Sequence, residues 1–204
     1  MFRAARFYLC LLAAALFSMA CQERETQLEQ PQVEKPAAPQ ANGPTAAAEG
    51  EKAGETRAVA QLQPTQGHDV RGTVTFTQKA EGVAIEASVQ GLSPGKHGIH
   101  VHEVGDCSAP DASSAGEHYN PQGSPHGAPD NPPAQRHVGD LGNIEVGPEG
   151  DAATYKRTDQ VIQLQGKESI IGKAVVIHAG PDDLTSQPAG DSGPRVACGV
   201  IESE

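Results

Sequence analysis

Gly82-Val83-Ala84-Ile85-Glu86-Ala87-Ser88-Val89-Gln90 decides the fold class. Val83, Ile85, Ala87 and Val89 recur at every second position, with Glu86 and Ser88 between them. Successive side chains of a strand point to opposite faces, so this period marks a half-buried strand and not a helix. Upstream, Val74 and Phe76 alternate with Thr73, Thr75 and Thr77; downstream, Ile99 and Val101 alternate with His100 and His102. Apolar runs at Ile170-Ile171, Ala174 to Ile177 and Val200-Ile201 supply later strands, and glycine-bearing turns separate them. No stretch beyond the N-terminal apolar run reads as an amphipathic helix, and there is no internal repeat. Many short strands with frequent turns predict an all-β antiparallel sandwich or barrel. Residues 104–136 and 179–195 are too long for simple turns, and loops of that length are usually functional or disordered.

The first part of the chain is read as lying outside this fold. Arg3 and Arg6 precede an apolar run from Phe7 to Phe17, with small residues at Ser18 and Ala20. Charge, apolar core and small residues in that order mark residues 1–20 as a secretory signal. The run is too short for a permanent span, which needs about 20 apolar residues. Ala20-Cys21 resembles a bacterial lipoprotein cleavage site, with Cys21 the lipid anchor; cleavage without lipidation is the alternative and would leave Cys21 a free thiol. Cys10 leaves with the signal. Pairing Cys107 with Cys198, as an oxidising compartment favours, leaves Cys21 as the odd one, and lipidation accounts for it. Residues 21–56, rich in Glu, Gln, Ala and Pro, hold almost no large apolar side chain. They read as a disordered tether spanning roughly 35 Å. Losing Arg3 and Arg6 takes the net charge from −11 to −13, which argues against nucleic acid as a partner.

Residues 57–204 are one domain's worth of chain, able to bury about 68% of their unfolded surface. Their aromatics are Phe76, Tyr119 and Tyr155, so the core must be mostly aliphatic. All eight histidines lie here. His100 and His102 share one face of a strand, and His178 closes another. His118, His126, His137 and Asp140 follow in the first long segment, and three imidazoles with a carboxylate make a plausible four-coordinate zinc set. Neutral imidazoles favour zinc and copper over hard cations. Taken alone, the His100-x-His102 pair reads more readily as an exposed strand face.

The motifs narrow this. Gly98-Ile99-His100-Val101-His102-Glu103, then Gly116-Glu117-His118-Tyr119-Asn120-Pro121, His126-Gly127 and His137-Val138-Gly139-Asp140-Leu141-Gly142-Asn143 stand in one order. Ile170-Ile171-Gly172-Lys173 leads to Val175-Val176-Ile177-His178, and Pro194-Arg195-Val196-Ala197-Cys198-Gly199-Val200-Ile201 closes the series. Together they resemble copper/zinc superoxide dismutases over about residues 57–203. The resemblance implies an eight-stranded antiparallel Greek-key sandwich or barrel with two long functional loops. It implies copper on His100, His102, His118 and His178, and zinc on His118, His126, His137 and Asp140. It makes His118 a bridge between the metals, Asp182 a carboxylate linking ligand histidines of the two, and Cys107–Cys198 a cystine. His68 and His97 match no ligand and are left as surface residues.

The implied activity is dismutation of superoxide to dioxygen and hydrogen peroxide by one-electron cycling of copper. Arg195 would attract and orient the anion, and His118 would handle a proton. The second loop, Thr185 to Pro194, is short and lacks the Lys and Glu cluster of eukaryotic members, and Cys107 follows His102 closely. Both features look more like bacterial members, for which a homodimer stays open. Gln22 after Cys21 leans toward the outer membrane, hence an exported, periplasmic or cell-envelope protein. Two rival readings are a catalytically silent copper or zinc store and a Greek-key adhesion module. Loss of a copper ligand or of Arg195 would signal the store, and an adhesion module would not need His118, Asp140 and Asp182 together.

Overall fold

The computed structural model describes residues 56–150 and 152–204. The expected signal, Cys21 and the tether up to residue 55 lie outside the described residues. Among the described residues eight strands form: β1 (Arg57–Pro64), β2 (Arg71–Lys79), β3 (Gly82–Gln90), β4 (Gly95–His102), β5 (Asp140–Val146), β6 (Ala153–Asp159), β7 (Ala174–His178) and β8 (Arg195–Ser203). Every pairing is antiparallel, in the order β5-β4-β7-β8-β1-β2-β3-β6. The β3-to-β4 and β6-to-β7 connections each pass over two strands, which are the Greek-key steps, while β5 and β6, the two ends of this order, meet and nearly close the sheet into a barrel. Tyr155 on β6 then donates its hydroxyl to the Leu141 carbonyl on β5 at 2.8 Å, linking the two edges.

The period-2 reading holds on β3, where Val83, Ile85, Ala87 and Val89 are buried. They pack with Val74, Phe76, Ile99, Val101, Val175 and Ile177 into one aliphatic core. β7 is buried along its whole length. Its Val175 and Ile177 face the main core, while Ala174 and Val176 pack with Ala112, Ala115 and Cys198 beneath the first long loop. A strand covered on both sides reads as a continuous apolar run, as this one does. β4 has the same double burial, but its second face carries His100 and His102.

Ile170 and Ile171 differ from the expectation, since they lie before β7 and not in a strand. Gly172, in the left-handed region at φ 82, turns the chain there, and Lys173 N donates to Ile170 O at 3.0 Å. Ile170 is still fully buried, so the apolar pair marked burial and not strand. Among the described residues the helical content is two short 3-10 turns, Ser113–Ala115 and Pro133–Gln135, both in the loop between β4 and β5. That loop and residues 179–194 between β7 and β8 are the two long functional segments. Cys107 and Cys198 form a disulfide with Cα atoms 5.8 Å apart, tying the first loop to β8.

Candidate metal centre

β4 and β7 pair with Ile99 opposite Ile177, which sets His100 and His102 beside His178 at the end of β7. The first loop then folds over them: His118 forms a bridge to His102, and Tyr119 N donates to Val101 O at 2.8 Å. Asp140 is the first residue of β5, beside His100 in register. The loop therefore starts and ends on neighbouring strands, so the chain between has to close over β4. All six of these histidines, with Asp140 and Asp182, are buried, so the exposed-face reading of His100 and His102 does not hold.

Two clusters result. One ligand atom from each of His100, His102, His118 and His178 lies within 4.8 Å of the others, and so does one from each of His118, His126, His137 and Asp140. His118 belongs to both. Each of the six histidines has one buried ring nitrogen without a hydrogen-bond partner: Nδ1 of His100, His126 and His137, and Nε2 of His102, His118 and His178. Buried polar atoms are almost always paired, so six such nitrogens converging on two points, two of them beside the Asp140 carboxylate, fit cations. The donor types suit copper and zinc.

The remaining nitrogens are fixed from outside. His102 Nδ1 donates to Gly116 O at 2.9 Å and His178 Nδ1 to Gly193 O at 3.0 Å; carbonyls only accept, so Nε2 of each ring carries the free pair. His100 Nε2 donates to Asp182 Oδ2 at 2.8 Å, which frees Nδ1. Asp182 Oδ1 meets His126 Nε2 at 3.0 Å, so one carboxylate links a histidine of each cluster. Such partners orient a ligand ring and raise its basicity.

In the second cluster, Asp140 Oδ1 lies 2.9 Å from His118 Nδ1, 3.0 Å from His126 Nδ1 and 3.2 Å from His137 Nδ1. Tetrahedral zinc, with bonds of about 2.0–2.1 Å, needs ligand atoms about 3.3 Å apart. Asp140 Oδ2 is held apart by the amides of Gly127 at 3.0 Å and His137 at 2.8 Å, leaving Oδ1 as the oxygen that would face a metal.

Charge follows the same division. Burial holds His100 at about 3 and His178 at about 4, and pushes His102 well below the ordinary histidine range, so all three are neutral ligands near neutral pH. Burial also opposes charge on His126, but Asp140 and Asp182 outweigh it and raise the ring to about 9. Burial opposes ionisation of Asp140 and Asp182 as well, yet histidine hydrogen bonds hold both below the usual carboxylate range. A metal at His126 Nδ1 takes the place of that proton.

Arg195 opens β8. Its Nη1 donates to Ala112 O and its Nη2 to Gly116 O, both at 2.7 Å. Gly116 O is also the acceptor for His102, so the guanidinium and the first cluster share an anchor. The Arg195 charge lowers the basicity of both His102 and His178. It lines an open cavity of about 350 Å³ with Thr65, Gln66, Asp111, Gly193 and exposed His68.

Sequence reasoning placed His97 on the surface, and the structure corrects this. His97 is 3% exposed; its Nδ1 lies 3.0 Å from His178 O and its Nε2 2.9 Å from Ser93 O. It lies within β4, two residues before Ile99, and the carbonyls of Ser93 and of His178 at the end of β7 take its ring nitrogens, which lets a polar ring be buried there. Arg136 was missed altogether. It is buried, donates to Asp140 O at 2.7 Å, and grips both oxygens of buried Asp159 at 2.6 and 2.7 Å. A charged residue directly before His137 was the available signal. Asn143 and Gln187, both polar residues within the loop motifs, hold backbone groups of Asp182 and His126.

Comparison with known proteins agrees with this geometry. Residues 70–201 match the family model described as copper/zinc superoxide dismutase (SODC). "Superoxide dismutase [Cu-Zn] 2" from Brassica juncea is 47% identical over 152 residues, covering 71% of this chain and 96% of that relative.

Proposed function

The chain belongs to the copper/zinc superoxide dismutase family, and from that premise we infer how its two donor clusters divide the work. The enzyme converts superoxide to dioxygen and hydrogen peroxide, with copper and zinc as cofactors. We assign copper to His100, His102, His118 and His178, and zinc to His118, His126, His137 and Asp140. Copper, when bound, supplies one-electron redox chemistry, and zinc, which has none, supplies charge and geometry.

The residues do the rest. His118 offers a nitrogen to each cluster, so its Nε2 is the atom at which a proton can be held beside the first. Gly116 O and Gly193 O keep the free pairs of His102 and His178 turned inward. Arg195, fixed by two carbonyls, presents a positive charge to the cavity, where it attracts and orients a small anion. The observation that carries this reading is the convergence of six unpartnered, buried ring nitrogens on two points that share His118. Metal analysis beside a superoxide-removal assay tests it. We expect about one copper and one zinc per chain, and turnover that is lost without copper. Equal rates from the copper-loaded and copper-free protein would refute it.

We further propose that the protein is exported in a bacterium and tethered through lipidated Cys21 to the outer membrane, facing the periplasm. The Arg3, Arg6 and Phe7–Phe17 pattern supports export, and the Cys107–Cys198 cystine suits an oxidising compartment. Cys21→Ser should move the protein from the membrane to the soluble fraction; unchanged partition would remove the anchor. A homodimer is part of the same proposal. Among the described residues Val104 is the only large apolar side chain exposed, so the contact would be largely polar, and sedimentation reads its existence.

A further inference from the structure

His126 sits between Pro125 and Gly127 in irregular chain, where no neighbouring strand can pair with its backbone. Buried backbone donors and acceptors nevertheless need partners. Gln187, from the opposite loop, supplies both. His126 N donates to Gln187 Oε1 at 2.8 Å, and Gln187 Nε2 donates to His126 O at 2.9 Å and to Thr185 O at 3.1 Å. One side-chain amide thus stands in for a paired strand. The arrangement repeats at Asp182, whose N donates to Asn143 Oδ1 at 2.8 Å and whose O accepts from Asn143 Nδ2 at 2.9 Å. Asp182 then reaches His126 Nε2. The backbone and one ring nitrogen of His126 are therefore all held by residues 179–194 or their clamp, and Nδ1 alone is left toward the second cluster.

The turn that carries Gln187 is pressed onto this linkage. Gly190 N donates to Ser186 O at 2.8 Å, and Asp183 N donates to Gly190 O at 2.9 Å, closing the turn around Gln187. Gly190 is in the left-handed region at φ 70, and a Cβ there would overlap the Asp182 carboxylate and lie 2.7 Å from His126 Nε2. The same loop runs on through Gly193, the acceptor for His178, to Arg195.

We propose that Gln187 is a positioning residue that couples zinc binding to the order of residues 179–194. The proposal deepens the zinc assignment above and rests on His126 being one of its ligands. Fixing a loop costs conformational entropy, and a metal that needs His126 held still bears that cost unless the loop is already fastened. Coupling is reciprocal: if Gln187 lets zinc order the loop, the ordered loop must raise zinc affinity by the same factor. The amide does this without adding a charge to the loop.

The test compares wild type with Gln187→Ala and Gln187→Glu. Gln187 is exposed, so neither change disturbs the core. Metal-free protein is titrated with zinc(II) against a chromophoric chelator, and thermal unfolding is followed with and without zinc. Gln187→Ala should weaken zinc binding about tenfold, the low end for residues that orient metal ligands. Gln187→Glu keeps the acceptor for His126 N but loses the donor to His126 O, so it should fall between wild type and Ala. Copper content after loading should match wild type in both. The melting temperature should drop in the zinc-bound form and stay unchanged in the metal-free form. Equal zinc affinity in wild type and Gln187→Ala overturns the proposal, and so does an equal drop in both melting temperatures, which would make Gln187 a general clamp. A wild type that binds no zinc fails the cluster assignment itself, a different result from either.

Discussion

Arg195 reaches its place through two carbonyls, Ala112 O and Gly116 O, and only a planar fork can hold both at 2.7 Å. Arg195→Ala removes the cation from the cavity without touching any ligand atom. Copper and zinc content should stay at wild-type levels while kcat/KM falls about tenfold or more at low salt. Arg195→Lys should keep part of the activity, because a charge remains although one of the two anchors is lost. Metal analysis with steady-state kinetics decides it; full activity in Arg195→Ala would make the residue merely a tie between the first loop and β8. The residues of the two clusters and Arg195 stood out in the sequence through the motifs that carry the family resemblance; residue type and spacing alone left the His100–His102 pair open to an exposed-face reading. Gln187, Asn143 and Arg136 were not, since each acts on the backbone of another residue. Gln187 bonds to N and O of His126, and no pattern of side chains announces a carbonyl partner. His97 was misread for a related reason: its ring is buried because two backbone carbonyls, Ser93 O and the distant His178 O, accept its nitrogens.

β3 and β4 were legible as elements because one face of each meets the aliphatic core, and alternation reports that directly. β6 was not. Only its end residues Ala153 and Asp159 are buried, with Thr154, Lys156 and Thr158 in water, so an edge strand built this way has no apolar period to read. Its inward end is charged instead. Asp159 takes Arg136 from the first loop and accepts the amides of Val161 at 2.8 Å and Ile162 at 3.0 Å, so β6 is fastened to the metal-bearing loop by a buried ion pair. Removing one member of such a pair leaves an uncompensated charge, which costs about 3–5 kcal/mol. Asp159→Asn, which preserves shape, should lower the unfolding free energy of the metal-free protein by about 3 kcal/mol in urea. A loss under about 1 kcal/mol would show that water reaches Arg136 and compensates it, as at a surface pair.

Across the whole molecule, two long-range constraints act. The first is covalent. Cys107 and Cys198 are 91 residues apart, and closing a loop of that length stabilises the fold by on the order of 4 kcal/mol in the chain-entropy model. Reduced protein should unfold at correspondingly lower urea, and equal midpoints would place the stabilisation elsewhere. The second is the field of the chain, whose net charge of −11 repels superoxide and stays negative with two divalent metals bound. Arg195 opposes this locally, so the two effects differ in range. Raising ionic strength from about 0.01 to 0.15 M shortens the screening length from about 30 to about 8 Å, which weakens the distant repulsion before the close attraction. In Arg195→Ala only the repulsion remains, so its kcat/KM should rise with salt over this interval. In wild type the two changes work against each other, and the dependence should be flatter or reversed. The sign of the difference between the two salt profiles is therefore the measurement. A variant whose rate falls with salt as wild type's does would mean that cations other than Arg195 guide the substrate.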